Sequence, residues 1–172
     1  MTPTGKSLLG VVDDISSKVG KLASFLILLL VATVLYEVVA RYAFGAPTIW
    51  SFKLTTFLYG GACILGSAWV LHRNRHVSID ILSLRLSPKA GAIVSLVAYL
   101  LLFLPFMGII LWQGIDQAAW SWSMWEREYE TPWEAPLYPI KTLIPIAVFL
   151  LLLQGIAKWT RDLFFVIKGK KL

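Results

Sequence analysis

Cysteine is all but missing from this chain of 172 residues: Cys63 stands alone, inside an apolar run. No internal disulfide can form and no Cys-x-x-Cys is present. That excludes thiol–disulfide chemistry, including that of four-helix quinone-linked oxidases. Phosphate-cradling Gly-rich loops, Gly-x-Ser-x-Gly elbows and zinc-protease motifs are absent as well. Histidine occurs twice, as His72 and His76, outside the apolar runs, so a haem held by two core histidines is excluded. Charge is scarce: 15% of residues are charged while 58% are hydrophobic, the balance of a membrane chain. Apart from Glu37 the apolar runs carry essentially no charge to line a polar pathway, which a solitary carrier of charged solutes would need. These absences describe a membrane subunit that is not an enzyme and needs no cofactor or metal.

What is present is four apolar runs, Leu22–Ala43, Phe52–Leu71, Ala90–Trp112 and Ile140–Trp159. Each approaches the ~20 residues that carry an α-helix across a hydrocarbon core about 30 Å thick. The reading is an all-α membrane protein with four transmembrane helices. Its parts are an amphipathic interfacial segment over 1–20, spans over 21–43 and 49–71, and a basic loop with a short helix over 72–89. A third span with a Trp-rich outer extension covers 90–125, an acidic loop 126–138, a fourth span 139–160 and a basic tail 161–172. Twelve of the sixteen cations fall on the side of the two termini, and only Arg41, Lys53, Arg127 and Lys141 fall on the other. Basic flanks stay in the cytoplasm, so both termini are expected inside a bacterial inner membrane. The net charge of +6 is then topological, facing lipid headgroups, with no nucleic-acid partner implied.

Residues Leu8, Val12, Ile15, Val19 and Leu22 recur at helical spacing, with Asp13, Asp14, Ser17 and Lys18 on other faces, an amphipathic helix before the first span. Too long for a signal core and preceded by acids, the first run is expected to stay as an anchor. Glu37 precedes Arg41 by four residues, the favourable order for an ion pair on one helix. The pair is either internal or grips a partner helix. Thr48 is placed to cap the second span. Gly61, Ala62, Cys63, Gly66 and Ser67 give that span a small face for close helix contact, within the chain or with another. His72, His76 and Asp80 recur every fourth residue, too sparse for a metal site and suited to polar anchoring. Pro105 predicts a kink in the third span. Trp120, Trp122 and Trp125 beside Glu126, Glu128 and Glu130 form either an aromatic belt or a surface for docking outside the cytoplasm.

The order Arg41-Tyr-Ala-Phe44, Pro47, Trp50, a small-residue helix and His76-Val-Ser-Ile-Asp80 resembles the small, DctQ-like membrane subunit of tripartite ATP-independent periplasmic (TRAP) transporters. Pro139-Ile-Lys141-Thr-Leu-Ile-Pro145 and Leu153-Gln154-Gly155 look like a branch of the same family. The resemblance implies a periplasmic solute-binding protein that delivers an organic anion to a two-part permease. The large subunit carries the substrate and sodium sites and moves like an elevator. The small subunit scaffolds it, binds no substrate itself and is placed to help the binding protein dock. Glu37, Arg41, Trp50, Lys53, Gly61, Gly66, His76 and Asp80 are then expected at subunit or lipid interfaces. Trp120, Trp125, Glu126, Glu128 and Glu130 are expected at a periplasmic docking surface. One departure stands out: the family often has an acid just after the outer tryptophan, where this chain has Ser51-Phe52-Lys53. Lys53 is expected to snorkel toward lipid or a partner carboxylate. The rival reading is a membrane anchor for a respiratory oxidoreductase, with an autonomous exporter working through Glu37 ranked behind it.

Overall fold

In the computed structural model, residues 8–73, 88–129 and 131–168 are described. They form five α-helices and one π-helical turn, which make four helical rods long and apolar enough to cross a membrane. Helix α1 runs Leu8–Ala43, α2 Ser51–His72, α3 Pro88–Ala98 and α4 Leu104–Ser123, with the π-turn Tyr99–Phe103 joining the last two; α5 runs Tyr138–Lys168.

The amphipathic segment is not a separate element. The 36 residues of α1 are continuous, because the apolar spacing persists through residue 22 with no proline to break it. At ~1.5 Å per residue the rod is about 54 Å long, well beyond a ~30 Å hydrocarbon core. The second span starts later than residue 49, and Thr48 does not cap it. Trp50 occupies the cap position and offers no side-chain bond. Gly45, at φ +61, turns the chain between the two helices, and the Ala46 N–H returns to the Ala40 carbonyl at 3.0 Å.

The kink expected at Pro105 takes the form of the π-turn just before it. Proline has no N–H to donate and its ring collides with the carbonyl four residues back; a widened turn relieves both. Gly155 of α5 faces the Phe103 ring at the end of this turn, too close for any Cβ. Gly20 plays the same part on α1, where a Cβ would lie 2.5 Å from Cγ of Trp69.

The rods pack as an open row. Helix α1 lies chiefly on α2 and also touches α5, α2 lies on α5, and the third span stands to one side, chiefly on α5. Ala23, Leu65 and Ala147 form the buried centre where α1, α2 and α5 meet, flanked by Leu26, Ile64 and Leu143. Part of the small face of α2 is used inside the chain: Gly61, Ala62 and Ala68 are buried together with Leu65, while Cys63 is exposed. A row rather than a closed bundle leaves broad apolar faces outward, and none of the most apolar stretch of the third span is buried.

Candidate functional site

Polar side chains gather at the two ends of the row. At the end away from the two termini, called the outer end for its place in the expected topology, Glu37 is the hub. Arg41, one turn later on α1, donates to Oε1 from Nε at 2.9 Å and also from its terminal nitrogen. Thr48, beyond the turn, donates to Oε2 from its backbone N–H at 3.2 Å and from its hydroxyl. The carboxylate thus fastens the α1–α2 turn as well as pairing along its own helix. Tyr36 stacks on Trp50 at 5.7 Å beside it.

One turn into α2, Lys53 pairs with Glu128 of the outer loop. Glu128 is 7% exposed, so this is a buried pair and no free acid. Lys53 finds its carboxylate within its own chain. Glu126 pairs with Lys141 of α5 at 2.6 Å. The hydrogen bonds from Lys141 hold the Glu126 carboxyl below its ordinary value of 4.5. The loop between these acids is closed by backbone bonds from Glu128 to Ala135 at 2.9 Å and from Leu137 to Glu126 at 3.0 Å.

Trp125 holds an unusual position. Helix α4 ends with the Glu126 N–H on the Ser121 carbonyl at 3.0 Å and the Trp125 N–H on that of Trp122 at 3.3 Å. This is the Schellman arrangement, whose left-handed residue is most often glycine. Here it is Trp125, at φ 49, a conformation that costs a bulky residue of order 1–3 kcal/mol. Its ring meets Trp122 at 5.9 Å and Tyr138 at 5.4 Å, and Trp122 donates to the Thr142 hydroxyl at 2.8 Å. Trp120 and Trp125 stay exposed.

The other end holds a cluster that sequence reasoning missed. Asp13 meets Arg161 at 2.6 Å and His72 at 2.9 Å, and Gln154 donates to it at 3.0 Å. Ser16 in turn donates to the Gln154 side-chain oxygen at 3.1 Å. Ser16 and Gln154 are each 1% exposed. Helices α1, α2 and α5 are joined here, and the beginning of α1 and the end of α5 share one end of the molecule. His72, expected in the loop, is the last residue of α2. The signal available was Gln154, an amide in an otherwise apolar run, which needs partners wherever it is buried. Nearby, Asp162 accepts from Lys158 at 2.9 Å and from Ser95 of α3 at 3.1 Å.

The structure therefore brings Glu37, Arg41 and Trp50 together at the outer end, with Lys53 on Glu128 a turn away. Gly61 lies buried, next to Leu26 and Leu143 of this chain. Gly66 is half-buried, near Ala23. Two of the three docking glutamates, Glu126 and Glu128, are held by lysines of this chain. His76, Asp80, Glu130 and the short helix of the basic loop lie outside the described residues. Among the described residues no three His, Cys, Asp or Glu side chains gather to hold a metal. Chemically, Glu37–Arg41 and Lys158–Asp162 pair along one helix each, whereas Asp13–Arg161, Lys53–Glu128 and Glu126–Lys141 tie separate elements together.

The family model for tripartite ATP-independent periplasmic transporters, DctQ component, matches residues 30–165. No curated protein and no solved structure matches the chain.

Proposed function

The chain belongs to the DctQ-component family of TRAP transporters, and on that premise we propose that it is the stationary scaffold of a two-part permease. It is a small transporter component with four apolar helices, a multi-pass membrane protein. In our reading it sits in the bacterial inner membrane with both termini in the cytoplasm, and the overhanging start of α1 lies along that interface. It holds a large membrane subunit that binds sodium and a carboxylate or similar organic anion. A periplasmic binding protein delivers that anion to the outer side. Glu37, Arg41, Trp50 and Lys53 shape the outer edge that partners meet, with Trp120 and Trp125 as its aromatic rim. His76 and Asp80 are kept as contacts on the cytoplasmic side.

The observation that carries the reading is the open row. Its broad apolar faces ask for a neighbour, while the pairs Asp13–Arg161, Lys53–Glu128 and Glu126–Lys141 fasten its elements to one another. A stiff plate of this kind is suited to standing still while another subunit slides against it.

Affinity purification in mild detergent from the native membrane tests the proposal. A stoichiometric, much larger multi-span chain without a chromophore is the expected companion. A flavin or iron–sulfur subunit in its place would make the protein a respiratory anchor and end the scaffold reading.

A further inference from the structure

Between α1 and α2 runs an open apolar groove of about 620 Å³, bordered by Gly20 to Leu30 on one side and Tyr59 to Val70 on the other. Its volume lies within the ~300–1,000 Å³ typical of ligand clefts. Three hydroxyl side chains line it, those of Ser24, Ser67 and Tyr59, and the two serines bond to their own helices: Ser24 to the Gly20 carbonyl at 3.0 Å and Ser67 to that of Ile64 at 2.7 Å. Within the groove walls these two have therefore turned away from any polar ligand. At ~1.5 Å per residue either wall extends about 15 Å, the depth of one leaflet of a ~30 Å hydrocarbon core.

The end of the groove nearer the termini is basic. Arg73 follows Gly66 by seven residues and Trp69 by four, so it continues the groove-lining face of α2 past its last turn. Its guanidinium lies over the Trp69 ring at 5.4 Å. Lys21 follows Gly20 on α1, and both cations are exposed. A leaflet-deep apolar slot that ends at Arg73, with the long side chain of Lys21 ~100° round α1 from Gly20, has the complement of a lipid: an acyl chain below and a negative headgroup above.

We propose that this groove is a binding site for one anionic phospholipid of the leaflet on the side of the termini. One acyl chain lies between α1 and α2, and the phosphate is held by Arg73 and Lys21. Trp69 keeps the guanidinium at headgroup level through its ring. The site is independent of what the protein transports, so it stands or falls separately from the scaffold reading.

Cys63 lines the groove and is the chain's one thiol, which makes it a natural reporter. A benzophenone maleimide on Cys63 is photolysed in native membranes, and the chain's adducts are weighed by mass spectrometry. Any membrane helix meets bulk lipid, so the readout is headgroup composition. The expected adduct is a phospholipid enriched in phosphatidylglycerol or cardiolipin over the surrounding membrane. Arg73→Ala is expected to lower that enrichment about fivefold, the weight of one basic residue at an anionic surface. Arg73→Lys is expected to retain it, which separates lost charge from lost fold. An adduct dominated by another protein chain would overturn the proposal. Lipid adducts at bulk composition and indifferent to Arg73 would overturn it equally.

Discussion

Glu37 and Thr48, eleven residues apart, are joined twice: the threonine offers its backbone N–H and its hydroxyl to one oxygen of the carboxylate. Arg41 occupies the other oxygen. A plain ion pair on one helix would lose only a few tenths of a kcal/mol, about 0.2–0.5, on reversal of its residue order. This one also closes a turn, and only an acceptor at position 37 can do that.

Thr48→Val is therefore expected to lower the thermal midpoint of the purified protein, and Glu37→Gln to lower it further. The double reversal Glu37→Arg with Arg41→Glu should regain only part of what either single change loses. The reversed pair can attract, yet an arginine at position 37 has nothing to accept from Thr48. Differential scanning in one detergent decides it. Full recovery by the double reversal would show that the Thr48 contact contributes nothing.

Lys53 and Glu128 form the second outer fastening, and its burial sets the size of the effect. Lys53 is 18% exposed and Glu128 7%. Removing one member of a buried pair leaves the other charged and desolvated, at a cost of about 3–5 kcal/mol. Lys53→Met should be severe, and Lys53→Met with Glu128→Leu much milder, because the orphaned charge is gone. A double-mutant cycle by denaturant or thermal unfolding measures the coupling. Additive effects would mean that the pair does not form.

At the opposite end, Gln154→Leu removes an amide that serves Asp13, Ser16 and His72 together. The buried Ser16 hydroxyl loses its acceptor, so a cost of about 1–3 kcal/mol is expected. Asp13→Asn is expected to cost about 1 kcal/mol or less, since the carboxylate is partly exposed and its pairing with Arg161 is screened. Proteolysis of the first turns of α1 is the useful second readout. Gln154→Leu should speed cleavage there and leave the outer loop unchanged.

Legibility in the sequence followed the range of each interaction. The spans are stretches of composition, and the Glu37–Arg41 pair is four residues apart on one helix, so both could be read along the chain. The π-turn was legible as a kink because Pro105 carries its own steric demand. The Asp13–Arg161 pair, 148 residues apart, and Lys53–Glu128 were not, because no local rule says which helices become neighbours. Lys53 illustrates the gap. Its sequence context points to lipid or a partner carboxylate, and the structure pairs it with Glu128 of the same chain. Trp125 illustrates another. Nothing in its identity announces a left-handed cap, a position that glycine usually fills. The continuity of α1 through residue 20 was hidden for a third reason: amphipathic and apolar stretches share one helical period, so the boundary between them need not be a break.

Proton dependence offers a test confined to the outer loop. Glu126 has its carboxyl held below 4.5 by Lys141. A carboxylate whose folded value is depressed contributes stability above its unfolded value and loses it as pH falls through the folded one. The difference in thermal midpoint between the natural protein and Glu126→Gln should therefore be constant from pH 7 to about pH 5 and shrink below about pH 4.5. In Lys141→Met the carboxylate loses its main stabilising partner, so the acid-sensitive step should largely disappear. Glu126 and Lys141 are partly exposed, at 21% and 24%, so raising the salt concentration should weaken the neutral-pH difference more than it weakens the Lys53–Glu128 pair. A difference that persists unchanged to pH 3 would mean that the residue acts through packing and that its charge is idle.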